Sequence, residues 1–152
     1  MKVIHEVYFT ENVAVLSFEK APATIHFLSE LFLRVAKAGI NVDMISQTAP
    51  KGSVNTLSFT VADEHVPQVL AVLNEMNTGI RPMVSTGNVK IALYGQEMPS
   101  KVGVAAGAFA LLNKAGIDIL LITTSEVDIS IVVTSADSDA AFAILKREYM
   151  PD

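Results

Sequence analysis

A chain of 152 residues can hold one ordinary domain or two small ones, and an apolar content of 51% excludes a disordered chain. A formal net charge of −5 argues against a nucleic-acid binder, which needs a basic face to track phosphates. Cysteine is absent, which excludes disulfides, thiolate metal sites and cysteine nucleophiles.

Residues 3–9 are β-rich, Thr10-Glu11-Asn12 reads as a turn, and residues 13–18 alternate as a strand. After a loop containing Pro22, Thr24 reads as the N-cap of a helix running to about Ala38. Phe27, Leu28, Leu31, Val35 and Ala38 share one stripe of it. Gly39, following Lys37, is a C-terminal stop. Residues 41–47 read as a strand, 50–53 as a turn and 54–61 as the hairpin partner. Asp63 is expected to cap a helix over 64–76, and residues 80–84 are extended. The remainder replays this order: strand 89–94, loop 95–101, helix 103–115, Gly116 as a stop, strand 118–124, a turn at Ser125-Glu126, strand 127–133 and a terminal helix over 137–149.

The replay is visible in the residues themselves. Lys37-Ala38-Gly39-Ile40 recurs as Lys114-Ala115-Gly116-Ile117, an offset of 116 − 39 = 77 that also separates Phe32 from Phe109. Each half reads β-α-β-β-α-β, the ferredoxin-like plan of the α+β class. The second half lacks a last strand, which residues 3–9 can supply by crossing back. Apolar residues fall in both phases of the strands, as in Met44 and Ile45 or Leu121 and Ile122, so both sheet faces are expected to be covered. No apolar run reaches the ~20 residues of a membrane helix. The N-terminus lacks a signal-peptide pattern, and a cytoplasmic location is expected. High apolar content without a membrane span points to an oligomer.

Nothing in the sequence supports catalysis. His5, His26 and His65 are scattered. Gly103 to Gly107 lacks the Lys-Ser/Thr of a phosphate loop, and no metal-ligand spacing occurs. Asp137 and Asp139 stand at a helix start, where they complement the macrodipole. Ligand binding is better supported. The loop before each repeated helix leads to outward-pointing amides that attract a carboxylate. Asn41 and Asp118 open the strands that follow, with Asp43 two residues on. A helix N-terminus for a carboxylate and an acid for an ammonium suit an α-amino acid; alternatively, Asn41 and Asp118 only satisfy local turns.

Gly39-Ile40-Asn41-Val42-Asp43-Met44-Ile45-Ser46-Gln47, followed by Leu57-Ser58-Phe59-Thr60-Val61, resembles the first ACT domain at the C-terminus of aspartate kinases. Residues 115–133, with Ile122-Thr123-Thr124-Ser125-Glu126 and then alternating Ile, Ser and Val, resemble the second. The resemblance covers essentially the whole chain, and the kinase catalytic domain is missing from it. It implies a tandem ACT protein with one domain over residues 10–85 and another formed by 1–9 plus 86–152. It implies a regulatory protein with no enzymatic activity or cofactor, binding a lysine- or threonine-like amino acid at ACT–ACT interfaces. The expected state is a homodimer with two eight-stranded sheets face to face, with a separate catalytic subunit as a further partner and neither nucleic acid nor membrane. The alternative is a ligand-free module that docks such a subunit.

Carried over residue by residue, the resemblance maps a first effector site to Ala21, Thr24, Ile25, His26, Asn41, Val42, Asp43 and Gln47. It maps a second to Met98, Ser100, Gly103, Val104, Asp118, Ile119 and Leu120. Ile25 and His26 replace the Pro-Gly pair common in the family, whereas Val102-Gly103 keeps the Gly, so His26 either narrows or lines the first pocket. Asp43 and Gln47 keep their family character in the first copy, whereas Leu120 and Thr124 hold the equivalent places in the second. The copies are expected to share a fold and not a job.

Overall fold

A computed structural model describes residues 3–152. The elements are β1 (Glu6–Pro22), α1 (Ile25–Lys37), β2 (Ile45–Gln47), β3 (Val54–Ala62), α2 (Val66–Met76), β4 (Met83–Tyr94), α3 (Val104–Lys114), β5 (Leu121–Thr124), β6 (Asp128–Val133) and α4 (Ser135–Tyr149). They form two compact units, one of residues 13–86 and one of residues 3–12 with 87–152. The first runs β-α-β-β-α-β along the chain, the second has the same elements with its last strand supplied by the leading segment of β1, and β1 and β4 contribute a segment to both.

In the unit of residues 13–86 the hydrogen-bonded order is β2-β3-β1-β4. β1 and β3 run antiparallel, with Val13 opposite Ala62 and Pro22 opposite Val54. Alternation along a strand sends every second side chain to one face. Ala14, Leu16 and Phe18 of β1 and Leu57, Phe59 and Val61 of β3 therefore meet Phe27, Leu31 and Val35 of α1 and Val69 and Leu73 of α2. The other phase is not bare, since Val13 and Val15 are also buried. α1 starts at Thr24, whose Oγ1 accepts the Phe27 N–H at 3.2 Å. The helix closes at Ala38, and Gly39 takes φ 77 to turn the chain out of it.

In the other unit the order is β1-β4-β6-β5, with residues 6–12 of β1 on the outside. β4 and β6 are antiparallel, from Val89 opposite Val133 to Tyr94 opposite Asp128. Ile91, Leu93, Ile129, Ile131 and Val133 pack with Ile4, Ala108, Leu112, Ala141 and Leu145. Thr134 caps α4 by accepting the Asp137 N–H at 3.3 Å, so that helix begins two residues before the expected start. Burial, and then the neighbouring Glu148 carboxylate, push the Tyr149 phenol above its ordinary range.

Several elements differ from the expectation for physical reasons. Thr10-Glu11-Asn12 is no turn: β1 continues through it, and Asn12 takes φ 57, a conformation Asn tolerates. The expected strands at 80–84 and 89–94 are one strand, β4, with Gly87 at φ 71. The strands expected from Asn41 and Asp118 begin only at Ile45 and Leu121. Ile40 and Ile117 are first drawn into the cores, their N–H groups bonded to Val35 and Leu112 carbonyls, before the chain rejoins a ladder. Asp63 does not head the α-helix. Residues 63–65 form a 3₁₀ turn and α2 starts at Val66, where Pro67 suits the first turn because it has no N–H to satisfy.

Candidate functional site

The loop from Gly95 to Lys101 is held at several points. The Gly95 N–H bonds to the Val127 carbonyl at 2.9 Å, and the His5 N–H bonds to the Tyr94 carbonyl at 2.7 Å. His5 Nε2 lies 2.7 Å from Glu97 Oε2. Residues 98–100 form a 3₁₀ turn in which Met98 is buried in the core and the Ser100 hydroxyl donates to the Glu97 carbonyl at 2.8 Å. The chain then reaches Gly103 at φ 85, where a methyl group would meet open space. No side chain among the described residues caps α3. The first-turn amides of Val104, Ala105 and Ala106 thus point outward without an intrahelical acceptor, as at any helix start.

The equivalent end of the other unit is built differently. The Ala23 N–H bonds to the Ser53 carbonyl at 3.0 Å, and Thr24 occupies the Phe27 amide. Ile25 is 80% exposed. His26 Nε2 reaches Glu30 Oε2 at 3.2 Å, and Glu30 continues to Arg34 at 3.0 Å. The imidazole therefore lies along α1, beside a groove of about 870 Å³ between α1 and α2, and not across the helix N-terminus. Ala21 stands opposite Asn55, whose side-chain amide donates to Gln47 at 3.3 Å. Gln47 itself stands opposite Leu57, so the Asn55 amide reaches it diagonally, two residues along β3.

The strand entries lie elsewhere. The Asp43 N–H bonds to the Thr60 carbonyl at 3.2 Å, and the Met44 N–H to Thr60 Oγ1 at 3.0 Å. The Leu120 N–H bonds to the Val132 carbonyl at 2.8 Å. In each unit the entry follows the C-terminus of the helix whose N-terminus carries the loop. With 11 residues in α3, a rise of about 1.5 Å per residue separates the two ends by roughly 16 Å. The structure thus brings together Ala21, Thr24, Ile25, His26 and Gln47, and likewise Met98, Ser100, Gly103 and Val104. It leaves Asn41, Val42 and Asp43, and Asp118, Ile119 and Leu120, at the far ends. Val42 and Ile119 are half-buried against the cores, while Asn41, Asp43, Asp118 and Leu120 are exposed. Apart from His26, no expected effector residue lines the 870 Å³ groove, and none lines a 460 Å³ cavity at Leu70, Asn77, Arg81 and Val84.

Sequence reasoning passed over His5, Gly95 and Glu97. A glycine at the end of a strand is the one signal that pointed there, because it marks a close backbone approach.

The ACT domain family matches residues 91–149, from within β4 to the end of α4. The regulatory subunit of aspartate kinase from Thermus thermophilus superimposes with a TM-score of 0.84 at 25% identity, over 98% of this chain and 99% of that one. Nearly the whole chain is thus similar to the regulatory region of aspartate kinases, and residues 91–149 of it match the ACT domain. The chain is similar also to the solved aspartokinase alpha and beta subunits, at 29% identity and a TM-score of 0.80, over 95% of it and 97% of that chain. The aspartokinase of Bacillus sp. (strain MGA3) is 31% identical over 152 residues, which is 97% of this chain and 36% of the relative. The chain spans about a third of the length of the curated kinases it matches. No helix among the described residues is long and apolar enough to cross a membrane.

Proposed function

We propose that this ACT region binds a lysine- or threonine-like α-amino acid and passes its occupancy to a separate catalytic subunit in the cytoplasm. The observation that carries the reading is the uncapped N-terminus of α3 behind Gly103, where three outward amides and the positive end of the helix dipole suit a carboxylate. The Thr24 cap and the Cβ of His26 make α1 the poorer of the two sites. Asp118 lies too far from Gly103 to hold the same amino acid within one unit. The ammonium is therefore taken by the strand entry of a second copy, which makes binding and dimerisation one process.

The exposed apolar residues fit such an association. Ile25 and Ile45 recur as Val102 and Ile122 at the same offset of 77 (102 − 25 and 122 − 45), and all four are exposed. Light scattering is expected to give twice the 16.3 kDa chain mass, with the dimer strengthened by the amino acid. A monomer that binds the amino acid fully at every concentration would overturn the shared site.

Calorimetric titration of wild type and Gly103→Ala tests the carboxylate site. The substitution places a methyl group where the carboxylate approaches; its left-handed backbone costs about 1 kcal/mol of stability in free and bound protein alike. Losing charge-assisted hydrogen bonds costs binding about 1.5–3 kcal/mol, so affinity is expected to fall by about tenfold or more. Equal affinities for the two proteins would count against the site. A role in docking a catalytic subunit without any ligand draws support from the likeness to the aspartokinase alpha and beta subunits. Capture of that subunit with no amino-acid effect would favour it.

A further inference from the structure

We infer that residues 3–5 act as a strap that positions the loop leading to α3, with His5 as its positioning residue; the consequence for binding rests on the effector reading above. Three observations place the strap. Ile4 is buried in the same core as Met98, so strap and loop are anchored side by side. Gly95 lets the two backbones approach so closely that a Cβ there would collide with the Val3 carbonyl oxygen and lie 2.9 Å from the Val3 carbonyl carbon. His5 Nε2 then meets Glu97 Oε2 at 2.7 Å, across 92 positions of sequence.

Without the strap, the turn at 97–101 keeps the buried Met98 and its own short-range bonds. These are Met98 N–H to the Gly95 carbonyl at 3.2 Å, Ser100 N–H to the Glu97 carbonyl at 3.1 Å, Lys101 N–H to the Met98 carbonyl at 3.0 Å and the Ser100 hydroxyl to the Glu97 carbonyl at 2.8 Å. Glu97 is the one carboxylate of that turn, and its own carbonyl receives the Ser100 hydroxyl. Holding Glu97 therefore holds Ser100, and through it the approach to Gly103 and the α3 amides. His5 and Glu97 are both part-exposed, so the pair is of moderate strength and is suited to bias a loop without being needed for folding.

The test compares wild type, His5→Ala and His5→Gln by amide hydrogen exchange and by titration with lysine and threonine. In His5→Ala the amides of Ser100 and Lys101 are expected to exchange about three- to fivefold faster, with amino-acid affinity falling by a similar factor. Core amides of β4 and β6 should be unchanged. His5→Gln, whose amide can still donate to Glu97, should restore both values. Unchanged exchange at Ser100 and Lys101 in His5→Ala overturns the strap, as does faster exchange with undiminished affinity. If wild type binds neither amino acid, the effector reading fails on its own account, and exchange at the two amides alone decides the strap.

Discussion

Gly95→Ala is expected to unfold the unit of residues 3–12 and 87–152, or to strip its leading segment away, at a loss on the order of 3 kcal/mol or more. The atoms in the way are the Val3 carbonyl oxygen and carbon and the Ile4 Cα at 3.2 Å, all backbone, so no rotamer change relieves the overlap. Moving the segment aside would withdraw Ile4 from the core and break the bond from the His5 N–H to the Tyr94 carbonyl. Gly107→Ala is the control. That glycine lies within α3, where the nearest atom to an added methyl is the Tyr149 hydroxyl at an ordinary 3.6 Å. There alanine should stabilise by about 0.5–1 kcal/mol through helix propensity. Urea midpoints that move in opposite directions for the two variants are the expected result, and a Gly95→Ala midpoint equal to wild type would contradict the close approach.

Phe59→Ala is expected to cost about 3–5 kcal/mol in the other unit, as truncations of fully buried aromatics do. Phe59 has no exposed surface. Its ring stacks 6.1 Å from that of Phe18 and meets Phe32 edge-on at 5.3 Å, so the substitution removes one ring and unsupports two. The residues around the gap belong to β1, β3 and α1, whose ladder and cap limit how far they can collapse. Urea unfolding followed by backbone circular dichroism measures the effect, and a loss below about 1 kcal/mol would mean that the site closes over the gap.

Much of this fold is legible from short-range signals. The 77-residue echo announces two copies of one unit, and Gly39 and Gly116 mark the helix ends because both need positive φ. Thr24 is readable as a cap. The passages that mislead are those where polar residues sit inside long strands. Thr10-Glu11-Asn12 looks like a turn, but the ladder carries β1 through it, and only the left-handed Asn12 betrays the irregularity. The two groups of expected effector residues are adjacent in a motif and distant in space, because a helix, of 11 residues in α3, stands between them. Sequence spacing carries no sign of that separation. His5 and Glu97 meet only because the start of the chain returns to β4, a long-range pairing that neither residue announces locally.

The most direct test of the central claim is the response of backbone amide resonances to lysine or threonine. The account predicts saturable shifts of Val104, Ala105 and Ala106, at the N-terminus of α3, larger than any at Phe27 and its neighbours in the capped α1. Shifts confined to other segments, or none at all with every amino acid tried, would contradict it.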